Sequence, residues 1–378
     1  MWPVYFRSGD VLFKGGSVGN SPVVDVEGKR LSLSNLDKVL YPATGFTKGQ
    51  VIDYYARIAP ALLPHLRGRP VTMKRYPDGV DGEYFYEKNA PKHRPEWVKT
   101  APVWSRHNRR HINFLLVDDL PTLTWLANLA SLEIHPSLAL AADINQPTMM
   151  VFDLDPGPPA NIVQCAQVAV WLRDIFQHWG LQCFPKTSGS KGMQVYVPLN
   201  TSTTYDVTKP FAHALARLLE HEHPELVVSA MKKEVRAGKV FVDWSQNDEH
   251  KTTISVYSLR AREHPTVSTP VSWSEVERAL QKKDASLLVF EAPQVLQRVQ
   301  NMGDLHEPVL ELRQKLPDLR PAPVSTARPG AVDLAAQAEE PQELTRTGSG
   351  ASGKGASARA KRSKKKSAQP ASRKPRTV

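Results

Sequence analysis

Two carboxylates stand two residues apart in Val151-Phe152-Asp153-Leu154-Asp155-Pro156, at the end of a short apolar run. On a strand, positions i and i+2 face the same way, so Asp153 and Asp155 share one side of a sheet. Charges this close repel, and hard oxygen donors so arranged favour Mg²⁺ or Mn²⁺, which keep positions open for phosphate oxygens and water. The same residues also read as a strand running into a solvated turn at Pro156-Gly157-Pro158-Pro159. A third acid, Asp243 in Val240-Phe241-Val242-Asp243-Trp244, closes another apolar run, where a lone carboxylate is costly to bury. Three acids on adjacent strands can hold two metals and support in-line phosphoryl or nucleotidyl transfer. The alternative is that Asp243 caps the next turn through Ser245 and Asn247.

The segment Thr187-Ser188-Gly189-Ser190-Lys191-Gly192 has the makings of a phosphate cradle. Its glycines allow close backbone approach, its hydroxyls and amides donate to anionic oxygens, and Lys191 adds a point charge. It lacks the GxxxxGK[ST] spacing of a Walker A loop, and a Gly/Ser turn between two strands is the plain alternative. Arg236, Lys239, Lys251 and Arg260 flank the runs 239–244 and 252–259 and either hold a triphosphate or sit as solvated surface charges.

These residues need a frame. Thr47 is placed to cap a helix over KGQVIDYYARIAPALLPHL, whose apolar residues recur at helical spacing. The leucines of Thr122 to His135 predict a second helix ending near Pro136, and a third runs from about Asn161 to His178. Short β-branched runs at 149–155, 193–199, 239–244 and 252–259, with a shorter one at Cys183 to Phe184, predict strands. Their mixed order with the helices indicates an α+β domain with a largely antiparallel sheet.

The 378 residues, 41% hydrophobic, leave room for two or three modules and exclude a wholly disordered chain. Eleven of the 49 basic residues lie between Thr345 and Val378 with no acidic residue among them, so the first 344 residues balance 38 basic against 38 acidic groups. Nucleic-acid affinity of the folded part must therefore rest on local patches. From about Pro321 the composition turns to Pro, Ala, Ser, Gly and then Lys/Arg, which predicts a disordered tail. Cys165 and Cys183 fit neither a disulfide framework nor a zinc site. With no signal peptide and no apolar stretch of about 18 residues, a cytoplasmic, nucleoid-associated protein without a membrane partner is expected.

Taken together, FDLDP, TSGSKG and KVFVDWSQN resemble the primase-polymerase domain of bacterial non-homologous end-joining DNA ligases, within the archaeo-eukaryotic primase superfamily. The resemblance takes in LSNLDKVLYPATGFTKGQVIDYYARIAP, GRPVTMKRYPDGVDGEYFYEK, SLEIHP and KVFVDWSQNDEHKTTISVYSLRAREHPTVSTPVSW, most of Val26 to about Val299. It implies a primase-like α+β core over 26–300, built of two intertwined α/β modules. An N-terminal extension, 1–25, precedes it; a helical linker, 301–320, and the Lys/Arg-rich tail, 321–378, follow. By resemblance, Asp153, Asp155 and Asp243 are the catalytic acids that bind two Mn²⁺ or Mg²⁺ ions. Ser188, Gly189 and Lys191 fall on the phosphate loop, and Lys74, Arg75, Arg236, Gln246, Lys251 and Arg260 on positions that contact an NTP or dNTP. His135, by itself a helix-end cap or core histidine, matches one that lies against the incoming sugar and goes with a ribonucleotide preference. Lys38 and Lys48 match two lysines that grip a downstream 5′-phosphate. Phe85 and Tyr86 match an aromatic pair against template bases, their other reading being ordinary strand packing. One position departs: a histidine common in the motif SGxKGxH is Gln194 here, which can hydrogen-bond a phosphate or sugar oxygen but cannot titrate near neutral pH.

The expected activity is repair synthesis, the addition of nucleotides, ribonucleotides by preference, to a 3′-hydroxyl at short gaps or double-strand breaks. By resemblance, gapped, nicked or broken DNA and Ku are expected partners, and with the KxDG signature of a ligase missing, so is a separate ATP-dependent DNA ligase. The tail from Thr345 would add salt-sensitive DNA affinity, or act as a solubilising appendage. Two rivals remain: a non-catalytic DNA-end-binding module, which Gln194 favours, and a two-metal nuclease. Nucleotide incorporation, binding alone and primer degradation separate the three.

Overall fold

The computed structural model describes residues 16–18, 21–105 and 109–318; the expected basic tail lies outside the described residues. Three short strands, β1 (Gly16–Val18), β2 (Ser21–Val26) and β3 (Lys29–Ser32), make a small antiparallel sheet. A hairpin of β4 (Val39–Tyr41) and β5 (Phe46–Thr47) then delivers the chain to α1 (Lys48–Leu66). Thr47 caps α1 as expected, and the box is reciprocal: its side chain accepts from the Gln50 amide while the Gln50 side chain accepts from the Thr47 amide.

A five-stranded antiparallel sheet follows, from β6 (Val71–Arg75), β7 (Phe85–Glu87), β8 (Thr100–Ser105), β9 (Arg110–Leu115) and, after α2 (Leu120–Asn128), β10 (Ser131–Pro136). Its order is β10-β6-β9-β8, with β7 also pairing β6. A second five-stranded sheet comprises β11 (Met149–Pro156), β12 (Phe184–Thr187), β13 (Met193–Pro198), β14 (Val227–Val228) and β15 (Val240–Asp243) in the order β12-β13-β11-β15-β14. The helices α3 (Ile162–His178) and α4 (Tyr205–Glu222) cover one face of it, and α5 (Trp273–Lys282), α6 (Ala292–Met302) and α7 (Pro308–Glu311) complete the described chain. Among the described residues, only β14 and β15 pair in parallel. Each large sheet has its own apolar core, the first closed by α1 and α2, the second by α3, α4 and α5. The α+β class and the antiparallel preference expected from element order both hold.

Two expected elements differ. The helix over Thr122 to His135 is half helix and half strand. It begins at Leu120, capped by Asp119, whose side chain accepts from the Thr122 amide, and stops at Asn128. Ala130 takes φ +56°, and Ser131–Pro136 pairs with β6. The leucine spacing persists across the break, but Leu132 and Ile134 alternate into the first core as a strand requires. Tertiary pairing overrides local periodicity here.

The strand expected at 252–259 does not form a ladder either. Its amides divide between partners on two sides: Thr253 and Ser255 donate to the Pro136 and Ile134 carbonyls, whereas Tyr257 donates to Ser268. Tyr257 adopts φ +62°, which breaks any continuous pairing. The segment is instead clamped in place by α1, where the Tyr54 hydroxyl donates to the Tyr257 carbonyl at 2.8 Å and the Tyr55 hydroxyl accepts from the Leu259 amide at 3.1 Å.

A buried amide completes β11. Where β15 has ended, the Asn247 side chain takes the place of a strand, accepting from the Val151 amide at 2.9 Å and donating to the Val151 carbonyl at 2.7 Å. Asn247→Ala would leave both backbone groups buried and unpaired, so a loss of about 2–4 kcal/mol is expected, read as a lower urea midpoint with unchanged slope.

Candidate active site

Period-2 alternation sends Met150, Phe152 and Leu154 of β11 into the second core and leaves Asp153 and Asp155 on the other face. In register, Asp153 stands opposite Asp243 on β15 and Gln194 on β13, and Gln194 opposite Lys186 on β12. Four adjacent strands thus set Lys186, Gln194, Asp153 and Asp243 in one row. Burial and repulsion from Asp155 and Asp243 push the Asp153 carboxyl up to about 7, against the pull of a Gln194 hydrogen bond and Lys186. Asp155 is also raised, by its pocket surroundings and by Asp243.

The turn cap expected of Asp243 through Ser245 and Asn247 forms instead through Ser245 and Gln246. Asp243 faces Asp153, and its carboxylate also holds its own turn, accepting from the Ser245 amide at 3.0 Å, the Ser245 hydroxyl at 2.6 Å and Gln246 Nε2 at 2.8 Å. Among the described residues, no group of three or more His, Cys, Asp or Glu side chains is already gathered as a metal site. The chemistry of the donor set fits hard divalent ions all the same. Three carboxylates from two paired strands are available, and each retains lone pairs beyond those its protein partners use.

Asp153 and Asp155 open into a cavity of about 320 Å³ that Ser188, Lys191, Gln194, Gln246, Arg260, His135 and Tyr86 also line. The loop 188–192 is closed by the Ser188 amide donating to the Gly192 carbonyl at 2.9 Å, and the Ser188 hydroxyl accepts from the Ser190 and Gly192 amides at 3.2 Å. Gly189, at φ +66°, lies so close to Val267 that a Cβ would fall 2.5 Å from its carbonyl carbon. The loop carbonyls are turned inward: Arg260 donates to Ser188 O at 2.5 Å and the Thr266 hydroxyl to Gly189 O at 2.6 Å.

His135 belongs to a strand, contrary to the helix-end placement. Its Nε2 lies 3.0 Å from Glu133 Oε2, two residues back on the same face. Glu133 Oε1 accepts from the Ala261 amide at 3.1 Å and lies 3.3 Å from Arg260 Nε. Burial alone would raise the Glu133 carboxyl, but the hydrogen bond from His135 and the charges of Arg260 and Lys74 hold it well below the usual carboxylate range. Burial lowers His135 more than Glu133 raises it.

The remaining expected residues are placed as follows. The Lys74 ammonium lies 4.0 Å from the Tyr84 ring centroid. Arg236 stacks 3.6 Å over Phe241 and donates to the Met231 carbonyl at 2.6 Å, and its charge reaches Asp155. Arg75 pairs with Glu87 at 3.0 Å instead of facing the acids. Lys251 lines a separate cavity of about 240 Å³ beside Trp104. Phe85 and Tyr86 are half exposed, and Tyr86 meets His135 edge-on at 6.1 Å. Lys38 forms an ion pair with Asp78 at 2.8 Å. Lys48 is buried, its ammonium donating to the Ser34 carbonyl at 2.6 Å.

Several residues escape the sequence reading: Arg262, Thr252, Thr253 and Ile254 at the cavity, with Glu133 beside His135 and Lys186 opposite Gln194. Glu133 was detectable, because reading SLEIHP as a strand sets it on the face of His135. Lys186 carried no such signal. It is fully buried and donates to the Ser268 hydroxyl at 2.5 Å, a partner 82 residues away.

Residues 47–306 match the family model of the LigD primase-polymerase domain. The chain belongs to this family, a family of nucleotidyltransferases. It is 41% identical over 320 residues to the multifunctional non-homologous end joining DNA repair protein LigD of Mycobacterium tuberculosis, covering 80% of this chain and 41% of that protein. It is 32% identical over 275 residues to the bifunctional LigD of Bacillus subtilis, covering 72% of the chain and 43% of the relative. The chain therefore spans less than half the length of these curated relatives. Among solved structures, the polymerase domain of Mycobacterium tuberculosis ligase D in complex with DNA superposes with a TM-score of 0.69 at 41% identity, covering 74% of this chain and 98% of that one. The fold and the polymerase class of this LigD-type domain are those expected from the motifs. Among the described residues no helix is long and apolar enough to cross a membrane.

Proposed function

We propose that this LigD-type domain is a repair polymerase that adds nucleotides, ribonucleotides by preference, to a 3′-hydroxyl at short gaps or breaks, with Asp153, Asp155 and Asp243 as its metal-binding acids. The single observation that carries the reading is that Asp153 stands opposite Asp243 on paired strands while Asp153 and Asp155 open to a cavity that the 188–192 loop also lines. Two Mg²⁺ or Mn²⁺ ions held by these acids would supply activation of the primer hydroxyl and neutralisation of the triphosphate. The chain's own residues do the rest. The loop's serine hydroxyls with Lys191 and the guanidinium of Arg260 bind the phosphates, and Gln194, its Nε2 donating to the Thr253 hydroxyl at 3.0 Å, stands opposite Asp153 in the row. His135, fixed by Glu133, stands where it can meet the sugar hydroxyls. DNA is the expected partner, and a separate ligase and Ku are further proposals.

The reading of Lys38 and Lys48 as the grip on a downstream 5′-phosphate draws support from their backbones. The Lys48 amide donates to the Lys38 carbonyl at 2.8 Å, which fixes the two residues side by side. Charge-assisted contacts to a terminal phosphate should give about tenfold tighter binding to a phosphorylated gap, a preference that Lys38→Ala removes in a titration by fluorescence anisotropy.

A further inference from the structure

Lys251, expected at the nucleotide, lines a second cavity of about 240 Å³ whose walls are of another kind. Ile112 and Phe114 of β9, with Ile144, give it an apolar floor, and Trp104 of β8 stands at its edge. Among the described residues β8 ends its sheet, and Trp104 is 51% exposed there. Its ring is braced, because His111, its cross-strand partner, meets it edge-on at 5.2 Å. An indole half in water beside an apolar cavity is the form that interface aromatics take. The cavity is smaller than those that hold drug-sized ligands, about 300–1,000 Å³, and suits one flat ring. Its rim is cationic: Lys88 donates to the His250 carbonyl at 3.3 Å, Lys251 is the next residue, and burial with the charge of Lys251 lowers the Lys88 ammonium. Two ammoniums held in each other's field are relieved by an anion. The acid among the lining residues, Glu249, lies 3.2 Å from His250 Nε2. The cavity also adjoins the active site. Thr252 lines both, and its hydroxyl is 3.3 Å from that of Tyr86, while Tyr86, Lys88 and Ile112 share an open groove.

We propose that the Trp104 cavity is a second stacking site for nucleic acid: it takes one unpaired base of the strand that passes Phe85 and Tyr86, with Lys88 and Lys251 on the neighbouring phosphates. The proposal rests on the reading of Phe85 and Tyr86 as template contacts. An unpaired strand can offer a splayed base to a ring, which a stacked duplex cannot, and every base has a π-face, so such a site is tolerant of sequence. Lysines interleaved with aromatic rings along one groove match the backbone charge of that strand. Templates with several unpaired nucleotides therefore gain affinity from Trp104, and templates with a single one do not.

The test is an anisotropy titration of the purified chain against primer-templates with overhangs of increasing length, and against the longest of them with a single abasic residue moved along the overhang. In the unmodified chain, one abasic position beyond the templating base is expected to cost about tenfold in affinity. In Trp104→Ala that cost disappears, Trp104→Phe keeps most of it, and kcat for primer extension at saturating DNA stays at the parental value. The proposal is overturned if the unmodified chain shows no such position, or if Trp104→Ala carries the same abasic cost. It is equally overturned if Trp104→Ala weakens fully paired duplex as much as overhangs, or alters only the KM for nucleotide or the oligomeric state. If the double variant Phe85→Ala, Tyr86→Ala leaves overhang affinity untouched, the template reading itself fails, whatever Trp104 does.

Discussion

Asp153→Asn is expected to abolish nucleotide addition, by about 10³-fold or more, while leaving the metal-free protein at least as stable as before. The activity loss follows from the chemistry: an amide cannot supply the anionic ligand, and a loss of some 4 kcal/mol of transition-state stabilisation is about three orders of magnitude. The stability gain follows from the electrostatics. Burial, Asp155 and Asp243 raise the Asp153 carboxyl to about 7, so the folded state holds its proton more tightly than the unfolded chain does. Ionising it costs stability as pH rises from the unfolded value of about 4 through 7, and that cost is fully present at pH 8. The asparagine variant escapes it. In EDTA its thermal midpoint should exceed that of the parent at pH 8, and the difference should shrink as pH falls toward 4. A variant both inactive and unstable would instead mark Asp153 as a structural residue.

Gly192→Ala should be almost as damaging, by another route. A Cβ at Gly192 would lie 2.0 Å from the Leu154 carbonyl oxygen, and Leu154 separates the two β11 acids. The methyl must therefore drive the 188–192 loop and the acid-bearing strand apart. The Gly192 amide and carbonyl also close the loop through Ser188, so displacement opens the loop as well. Overpacking of this kind costs about 1–3 kcal/mol or more, and a shift of about 1 Å in a catalytic frame can cost 10²-fold in rate. Denaturant unfolding and primer-extension rates measured on the same preparation check both parts. Full activity with native stability would show that the loop and β11 do not form one rigid frame.

The acids and the loop were legible because their chemistry sits in contiguous sequence: DxD on a strand gives a shared face, and TSGSKG gives a turn with donors. The helices α1 and α3 were legible because cap and periodicity agree, with Thr47 and Asn161 both forming reciprocal boxes. What escaped depends on partners far along the chain. Ser131–Pro136 has leucine spacing compatible with a helix and becomes a strand through pairing with β6. Residues 252–259 look like a strand but divide their hydrogen bonds between two sides of the molecule. Lys48, expected by resemblance on a 5′-phosphate, has its ammonium buried against Ser34, and Lys186, with no local signal, joins the row of Gln194, Asp153 and Asp243 only because β12 pairs with β13. Register and burial decide such cases, and neither is written in local spacing.

The most direct measurement is extension of a labelled primer across a short 5′-phosphorylated gap, with ribonucleotides or deoxyribonucleotides, in Mn²⁺, Mg²⁺ or EDTA. The proposed function predicts stepwise lengthening with either metal, faster with ribonucleotides, and none in EDTA. Tight DNA binding without any lengthening, or a primer that shortens when metal is added, would contradict it.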